Sequence, residues 1–493
     1  MADEPVPFLE ATINTVQAGM KRGQVRCTQL VQWYLDRIGQ YDRQGPAIHA
    51  VVNVNPRALE EAAALDRYLQ EAGKLKGPLH GVPVLVKDQG ETSFMPTTFG
   101  TKAFAEYQPA TNATVVQKVL DAGAIVLAKV SMCDFAAGWF SFSSVTDRTR
   151  NPYALDRDAG GSSAGTGAGI AANFGLVGIG EDTGGSIRVP ASFNNLFGLR
   201  VTTGLISRSG FSPLVHFQDT PGPMARTARD LAKLLDVLVG YDEKDSYTCA
   251  ATVARGVGSY EKLLDGATLQ GARIGVLKQG FGPDDDYSGP VNRVIRALLP
   301  RLREQRVELI DVQIPDLEQW IGQTSLYIEQ SKYDLNQFLA LRNPRRSFKE
   351  IYEKRWFHPL NDLFHNIAAG PENPDESQSY YRQRLAQAEF QMLILNLFGR
   401  HRLDYLLYPD VKVLPPTYAD LESDKWTCLT FPTNTVIASQ SHLPAISMPA
   451  GFADRGVPVG VELVAPPYAE ASLLRFAYAY EQLTQPRRPP QLQ

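Results

Sequence analysis

Short, nearly continuous apolar runs recur along this chain at residues 82–86, 124–128, 176–180 and 273–277, and again at 405–408, 445–448 and 459–464. Runs of this kind are strands buried on both faces, which places a sheet between layers of helix. The helices expected around it are amphipathic. Thr28 is in place to cap one that turns Leu30, Val31, Tyr34, Leu35 and Ile38 to a single face. Asn55-Pro56 opens a second, with Leu59, Ala62, Leu65 and Leu69 facing inward. Further helices are expected at 114–122 and 470–483.

The segment from about Trp320 to Arg400 reads differently. It is helical, polar and aromatic, with a loop rich in Pro, Gly, Asn and Asp at 370–375. It fits a lid over the sheet and an ordinary helical layer equally well. Strands resume after it, so the sheet is completed late and the whole chain, 1–493, reads as one domain. A hydrophobic content of 44% and a charged content of 21% are enough to build a sizeable core.

A net charge of −4 argues against nucleic acid as the main partner. Cys27, Cys133, Cys249 and Cys428 show no paired spacing. That excludes a disulfide framework and a Cys-x-x-Cys metal site and fits a reducing compartment. Residues 1–5 lack the basic start of a secretory signal, and no run approaches the roughly 18 apolar residues of a membrane span. A cytoplasmic protein with no membrane partner is expected.

The chemistry is concentrated in residues 160–188. Gly160-Gly161-Ser162-Ser163-Ala164-Gly165 and Asp182-Thr183-Gly184-Gly185-Ser186-Ile187-Arg188 each set a serine after a Gly-Gly pair, and Lys87 ends the apolar run at 82–86. Glycines that bare a backbone, serines beside them and a lysine on a buried strand point to acyl transfer through an activated serine, with backbone N–H groups as oxyanion hole. No histidine lies in these segments, so the proton acceptor falls to the lysine.

Other readings of the same residues are weaker. Gly161-Ser162-Ser163-Ala164-Gly165 matches the Gly-x-Ser-x-Gly elbow of α/β-hydrolases. That motif requires a strand before it, and 153–159 is a poor one; the late histidines His401 and His442 sit in unremarkable surroundings. A P-loop is excluded because no Gly-Lys-Ser/Thr follows the glycines. Residues 163–173 also read as a structural helix of small residues. The second site shifts the balance, since Gly184 and Gly185 let successive N–H groups converge on one concavity.

Residues 160–188, continued by Val189-Pro190-Ala191, closely resemble the signature of the amidase signature family, the Ser–cisSer–Lys hydrolases. Residues 81–88 resemble its lysine strand, Asn151-Pro152-Tyr153 its Asn-Pro-aromatic lead-in, and 443–451 and 458–463 its C-terminal strands. The resemblance implies a single large α/β domain with a mixed, twisted central sheet between helix layers. The signature core would span about 80–230, and the helical, lid-like segment about 320–400. It implies Ser186 as nucleophile, Ser162 as the bridging serine after a cis peptide, and Lys87 as base. Thr183, Gly184, Gly185 and Ser186 would supply the oxyanion N–H groups, with Ser163, Asp182 and Arg188 in support. No metal and no cofactor are implied.

A lysine base makes a physical demand. Holding a group of pKa about 10.4 neutral at pH 7 costs roughly 4–5 kcal/mol, for which burial is the source. The chain departs from the family pattern at Glu181, where many relatives carry Thr or Ser, and at Ala164 and Thr166. These departures are expected to leave the three catalytic positions untouched and to bear on substrate. Phe135, Trp139, Phe140 and Phe142 fit an apolar acyl pocket, and fit core packing as well or better.

The expected function is hydrolysis of a small-molecule carboxylic amide through an acyl-serine; esters and carbamates are accessible by the same route. Two alternatives use the same triad. One is the glutaminase-type subunit of a tRNA-dependent amidotransferase, and the other is an acyltransferase in which an amine resolves the acyl-enzyme. A homodimer is compatible with each.

Overall fold

Eleven strands form one sheet in the structure, a computed structural model that describes residues 6–492. Residues 1–5, read above for a signal, lie outside the described residues. In chain order the strands are β1 (Val51–Val54), β2 (Pro83–Lys87), β3 (Ile125–Val130), β4 (Val177–Asp182), β5 (Phe197–Arg200) and β6 (Thr220–Ala225). They continue as β7 (Arg273–Leu277), β8 (Glu308–Val312), β9 (Tyr405–Pro409), β10 (Ala445–Phe452) and β11 (Pro458–Val464). Across the sheet the order is β1-β3-β2-β4-β6-β5-β10-β11-β9-β7-β8. Pairing is parallel where β2 meets β3 and β4, and where β7 meets β8 and β9. It is antiparallel through the centre and at the β1 edge.

Every apolar run singled out above is a strand of this sheet, within a few residues at its ends. β2, β3, β4, β9 and β11 are buried along their whole length, as double-faced strands must be. The strand that places Lys87 therefore ends inside the protein rather than at its surface. The small-residue helix Ala164–Ala171 packs on β2 and β4, and every one of its residues is buried.

Some local expectations are corrected. The first long helix spans Cys27–Tyr41 and is preceded by Arg26; Thr28 lies inside its first turn, where its N–H and Oγ1 donate to Asp66 Oδ2 at 3.1 and 2.9 Å. The helix after Asn55-Pro56 starts at Ala58, and Asn55 Oδ1 accepts the Arg57 N–H at 2.9 Å. Its inward face is Ala58, Ala62 and Leu65, so Leu59, one position round from Ala58, is left 40% exposed. Residues Ala154–Asp158, read as a poor strand, pair with Arg150–Asn151 in a two-stranded ribbon apart from the main sheet.

The helical segment comprises Leu317–Gln323, Tyr327–Leu339, Phe348–Glu353, Asp362–Ala369 and Tyr380–His401. It packs through aromatic rings: Phe338 against Phe99 with centroids 5.3 Å apart, and Phe364 against Phe135 and Phe348 at 6.3 and 4.6 Å. Among the described residues no helix is long and apolar enough to cross a membrane.

Candidate active site

Lys87 is fully buried at the end of β2. Its Nζ lies 2.7 Å from Ser162 Oγ, 3.2 Å from the Glu181 carbonyl oxygen and 3.3 Å from Glu181 Oε2. Burial pulls the Lys87 pKa below the ordinary lysine value; the Glu181 carboxyl opposes that shift.

Ser162 sits on the turn leading into helix Ala164–Ala171, and the Gly161–Ser162 peptide is cis. Gly161 donates its N–H to the Trp139 carbonyl at 2.7 Å, and a Cβ there would run into the Phe140 carbonyl. Only glycine allows this approach. Ser163 ties the two serine segments together: its N–H donates to the Ser186 carbonyl at 3.2 Å, and its Oγ donates to the Glu181 carbonyl at 3.2 Å.

The loop after β4 carries Ser186, and Asp182 holds it. Asp182 Oδ1 accepts the Gly185 N–H at 2.8 Å and Oδ2 accepts the Ile187 N–H at 3.2 Å. Arg188 Nε and Nη2 meet the same carboxylate at 3.1 Å each, and Arg200 Nη1 reaches Oδ1 at 3.0 Å. Burial alone would raise the Asp182 pKa, but the two guanidiniums hold it well below the carboxylate range. Arg188 is shared with Glu462 Oε1 at 2.6 Å and Ser439 Oγ at 2.7 Å.

Three carbonyls of the loop are pinned as well. The Thr183 carbonyl accepts from Gln218 Nε2 at 2.6 Å, and the Gly184 carbonyl accepts from Thr435 Oγ1 at 2.8 Å and Trp139 Nε1 at 3.2 Å. The Gly185 carbonyl accepts from the Val189 N–H at 2.8 Å. In a trans peptide N–H and C=O point opposite ways, so these bonds also aim the N–H groups of Gly184, Gly185 and Ser186. The expected donor at Gly185 is corrected here, because its N–H is already given to Asp182. Gly185 serves the turn instead: its φ is 130°, and a Cβ would strike Thr435.

Residues not anticipated complete the site. Glu181 was expected to leave the catalytic positions untouched; its carboxyl and its carbonyl both touch Lys87. Glu181 Oε1 is also 3.2 Å from Thr183 Oγ1, which in turn lies 2.6 Å from Asp219 Oδ1. Nothing in the linear order announced Asp219 or Gln218, which arrive on the stretch before β6. No histidine among the described residues hydrogen-bonds Lys87, Ser162 or Ser186; burial, with Arg200 and Arg384 nearby, drives the His442 pKa down to about 3.

The aromatic residues divide. Trp139 and Tyr327 line a cleft of ≈ 410 Å³ with Ile321, Leu429, Phe431 and Val436, and both rings press against Gly184. Phe140 and Phe142 line a separate, smaller cleft, and Phe135 is core, stacked between Phe99 and Phe364.

A buried lysine against a serine, a second serine on a clamped glycine turn and an eleven-stranded mixed sheet define an amide-hydrolase architecture. The amidase family profile matches residues 29–474, and the chain belongs to the amidase signature family. Native peptide amidase from Stenotrophomonas maltophilia superposes with a TM-score of 0.87 at 33% identity, covering 99% of this chain and 100% of that one. A peptide amidase bound to the competitive inhibitor chymostatin superposes at 0.88, again at 33% identity, over 98% and 100% of the two chains. A glutamyl-tRNA(Gln) amidotransferase subunit of Halorhodospira halophila is 31% identical over 96% of this chain and 97% of its own length. The corresponding subunit from Deinococcus deserti is 33% identical over 91% and 92%.

Proposed function

We propose that this chain is a stand-alone amidase that cleaves a small carboxylic amide through an acyl-Ser186 intermediate, with Lys87 as base and Ser162 as relay. The observation that carries it is the 2.7 Å contact of a fully buried, pKa-depressed lysine with Ser162. Ser186 Oγ attacks the carbonyl carbon while its proton passes to Ser162 Oγ, and the Ser162 proton passes to the Lys87 lone pair. The oxyanion is met by N–H groups of the loop at Thr183, Gly184 and Ser186. As the C–N bond breaks, Lys87 returns its proton through Ser162 to the leaving amine. Water then repeats the relay and releases the acid. Ser163, Asp182 and Arg188 hold the loop.

The cleft beside Gly184 sets apolar side chains (Trp139, Ile321, Phe431) against polar ones (Lys412, Thr433, Gln440), which suits an acyl part that carries both apolar and polar groups. Tyr327 opens helix Tyr327–Leu339, so the helical segment acts as cover over this cleft. Four cysteines without a disulfide fit a cytoplasmic protein.

Labelling tests the nucleophile. A fluorophosphonate should modify the wild-type chain at Ser186 and leave Ser186→Ala unmodified; modification elsewhere removes the assignment. A second reading has its own observation, the amidotransferase subunits that match over nearly the whole chain. In that case the isolated chain would release ammonia from glutamine only with a partner protein present, and would be inert toward anilides. Rapid anilide cleavage by the purified chain decides for the amidase. Product analysis with an added amine separates hydrolysis from acyl transfer.

A further inference from the structure

Lys87 Nζ has three polar neighbours: Ser162 Oγ at 2.7 Å, the Glu181 carbonyl at 3.2 Å and Glu181 Oε2 at 3.3 Å. A neutral amine has two N–H groups and one lone pair. Two of the three neighbours come from one residue and can act as acceptors, and the third is a hydroxyl able to donate. If Glu181 takes both N–H groups, the lone pair has one direction left, toward Ser162. We propose that Glu181 is the positioning residue of the lysine base, a neutral carboxylic acid that aims the Lys87 lone pair at the Ser162 hydroxyl. This rests on the acyl-Ser186 reading above and adds a residue to it.

The neutral form follows from counting hydrogens. Thr183 Oγ1 lies between Glu181 Oε1 at 3.2 Å and Asp219 Oδ1 at 2.6 Å. One hydroxyl hydrogen serves one of these oxygens, so the second contact is a hydrogen bond only when a carboxyl carries a proton. Asp219 also accepts the Leu214 N–H at 3.0 Å and the Val215 N–H at 3.2 Å, and these donors favour its ionised form. The shorter contact then belongs to Thr183 donating to Asp219, and the carboxyl proton belongs to Glu181.

The charged groups around this pocket pull both ways: burial pushes the Glu181 and Asp219 carboxyls upward, Asp219 the further with Glu181 beside it, while Lys87 favours an ionised Glu181. An ionised Glu181 would hold Lys87 as an ammonium and disable it as a base.

The test compares Glu181→Gln with Glu181→Ala on an anilide substrate across pH. Glutamine reproduces the neutral acid, with Oε1 toward Lys87 and an N–H in place of the acid O–H toward Thr183. It should keep kcat within about threefold, with its acidic limb within about half a pH unit of wild type. Alanine should lower kcat about thirtyfold or more with KM little changed, because positioning is lost and binding is not. Full activity in the alanine variant overturns the proposal. So does a glutamine variant as slow as alanine whose acidic limb moves down by about one unit or more, since Glu181 would then act as an anion. Fluorophosphonate labelling of the wild type is read alongside. If Ser186 is not labelled, the acyl-serine reading fails and takes the inference with it; if it is labelled, the Gln-to-Ala contrast judges Glu181 alone.

Discussion

Two buried lysines stand side by side at the ends of neighbouring parallel strands, Lys87 on β2 and Lys129 on β3. Val86 is the register partner of Lys129, so the two lysines leave the sheet on opposite faces. Burial pulls both pKa values down, against a nearby carboxyl in each case, Glu181 for Lys87 and Asp88 for Lys129. Lys129 Nζ is closed off between Asp88 Oδ1 at 3.0 Å and Thr97 Oγ1 at 2.8 Å. Lys87 faces Ser162, and the N–H of the next residue, Ser163, donates to the Ser186 carbonyl. Burial is common to the pair, so burial does not make a base. In the proposed mechanism the difference lies in what the nitrogen meets, Ser162 beside the Ser186 loop for Lys87 and Thr97 for Lys129.

The comparison can be broken from the largest effect downward. Ser186→Ala should lower kcat by about 10⁴-fold or more while the protein stays folded, since it removes the proposed nucleophile. Retained turnover would send the search to another nucleophile. Lys87→Arg should lose about 10³-fold, because a guanidinium stays protonated at usable pH. An arginine variant near wild-type rates would mean that the position supplies only charge.

The pH profile sharpens the same point. The folded pKa of Lys87 lies below its free value, so the active, neutral form is lost as pH falls through that lowered pKa. Activity should therefore rise with pH along a limb lying below about 10.4, and Lys87→Ala should flatten it. Ser162→Ala should cost about 10²-fold, less than loss of the nucleophile, by interrupting the relay. If Ser163→Ala proved the more damaging change, the bridging role would move to Ser163.

The smallest effect on turnover belongs to Lys129. Lys129→Met should leave kcat per folded molecule within about threefold but destabilise the fold by about 3–5 kcal/mol, because Asp88 is left buried without its cation. Thermal unfolding and active-site titration separate the two quantities. A folded Lys129→Met protein with kcat as low as Lys87→Arg would erase the distinction between the two lysines.

Lys87 and the two serine segments were legible in the sequence because Gly-Gly-Ser clusters and an apolar run ending in lysine are local patterns. Glu181 was visible only as an odd residue. Its role depends on β4 lying beside β2, a neighbourhood created by the sheet and absent from the linear order. Asp219 and Gln218 reach the site by the same route, through the pairing of β6 with β4. β6 itself was hidden by Pro221 and Pro223, which argue against a central strand. They are tolerated because they alternate along the strand, on the side where pairing with β5 is confined to Met224 and Ala225. The Gly185 error has another origin. Glycines that could form an anion nest do not reveal which N–H group a neighbouring aspartate has already claimed.

Glu181 and Asp182 are adjacent, yet one strand end sends them to different places: Glu181 with Thr183 toward Lys87 and Asp219, Asp182 toward Arg188 and Arg200. The backbone between them works as a partition separating two electrical compartments, one that rejects charge and one that requires it. A slip of a single residue along β4 would exchange their contents, setting an acid selected for ionisation against the lysine. The two compartments can be retuned by replacing side chains, but no shift of the strand can adjust one without overturning the other.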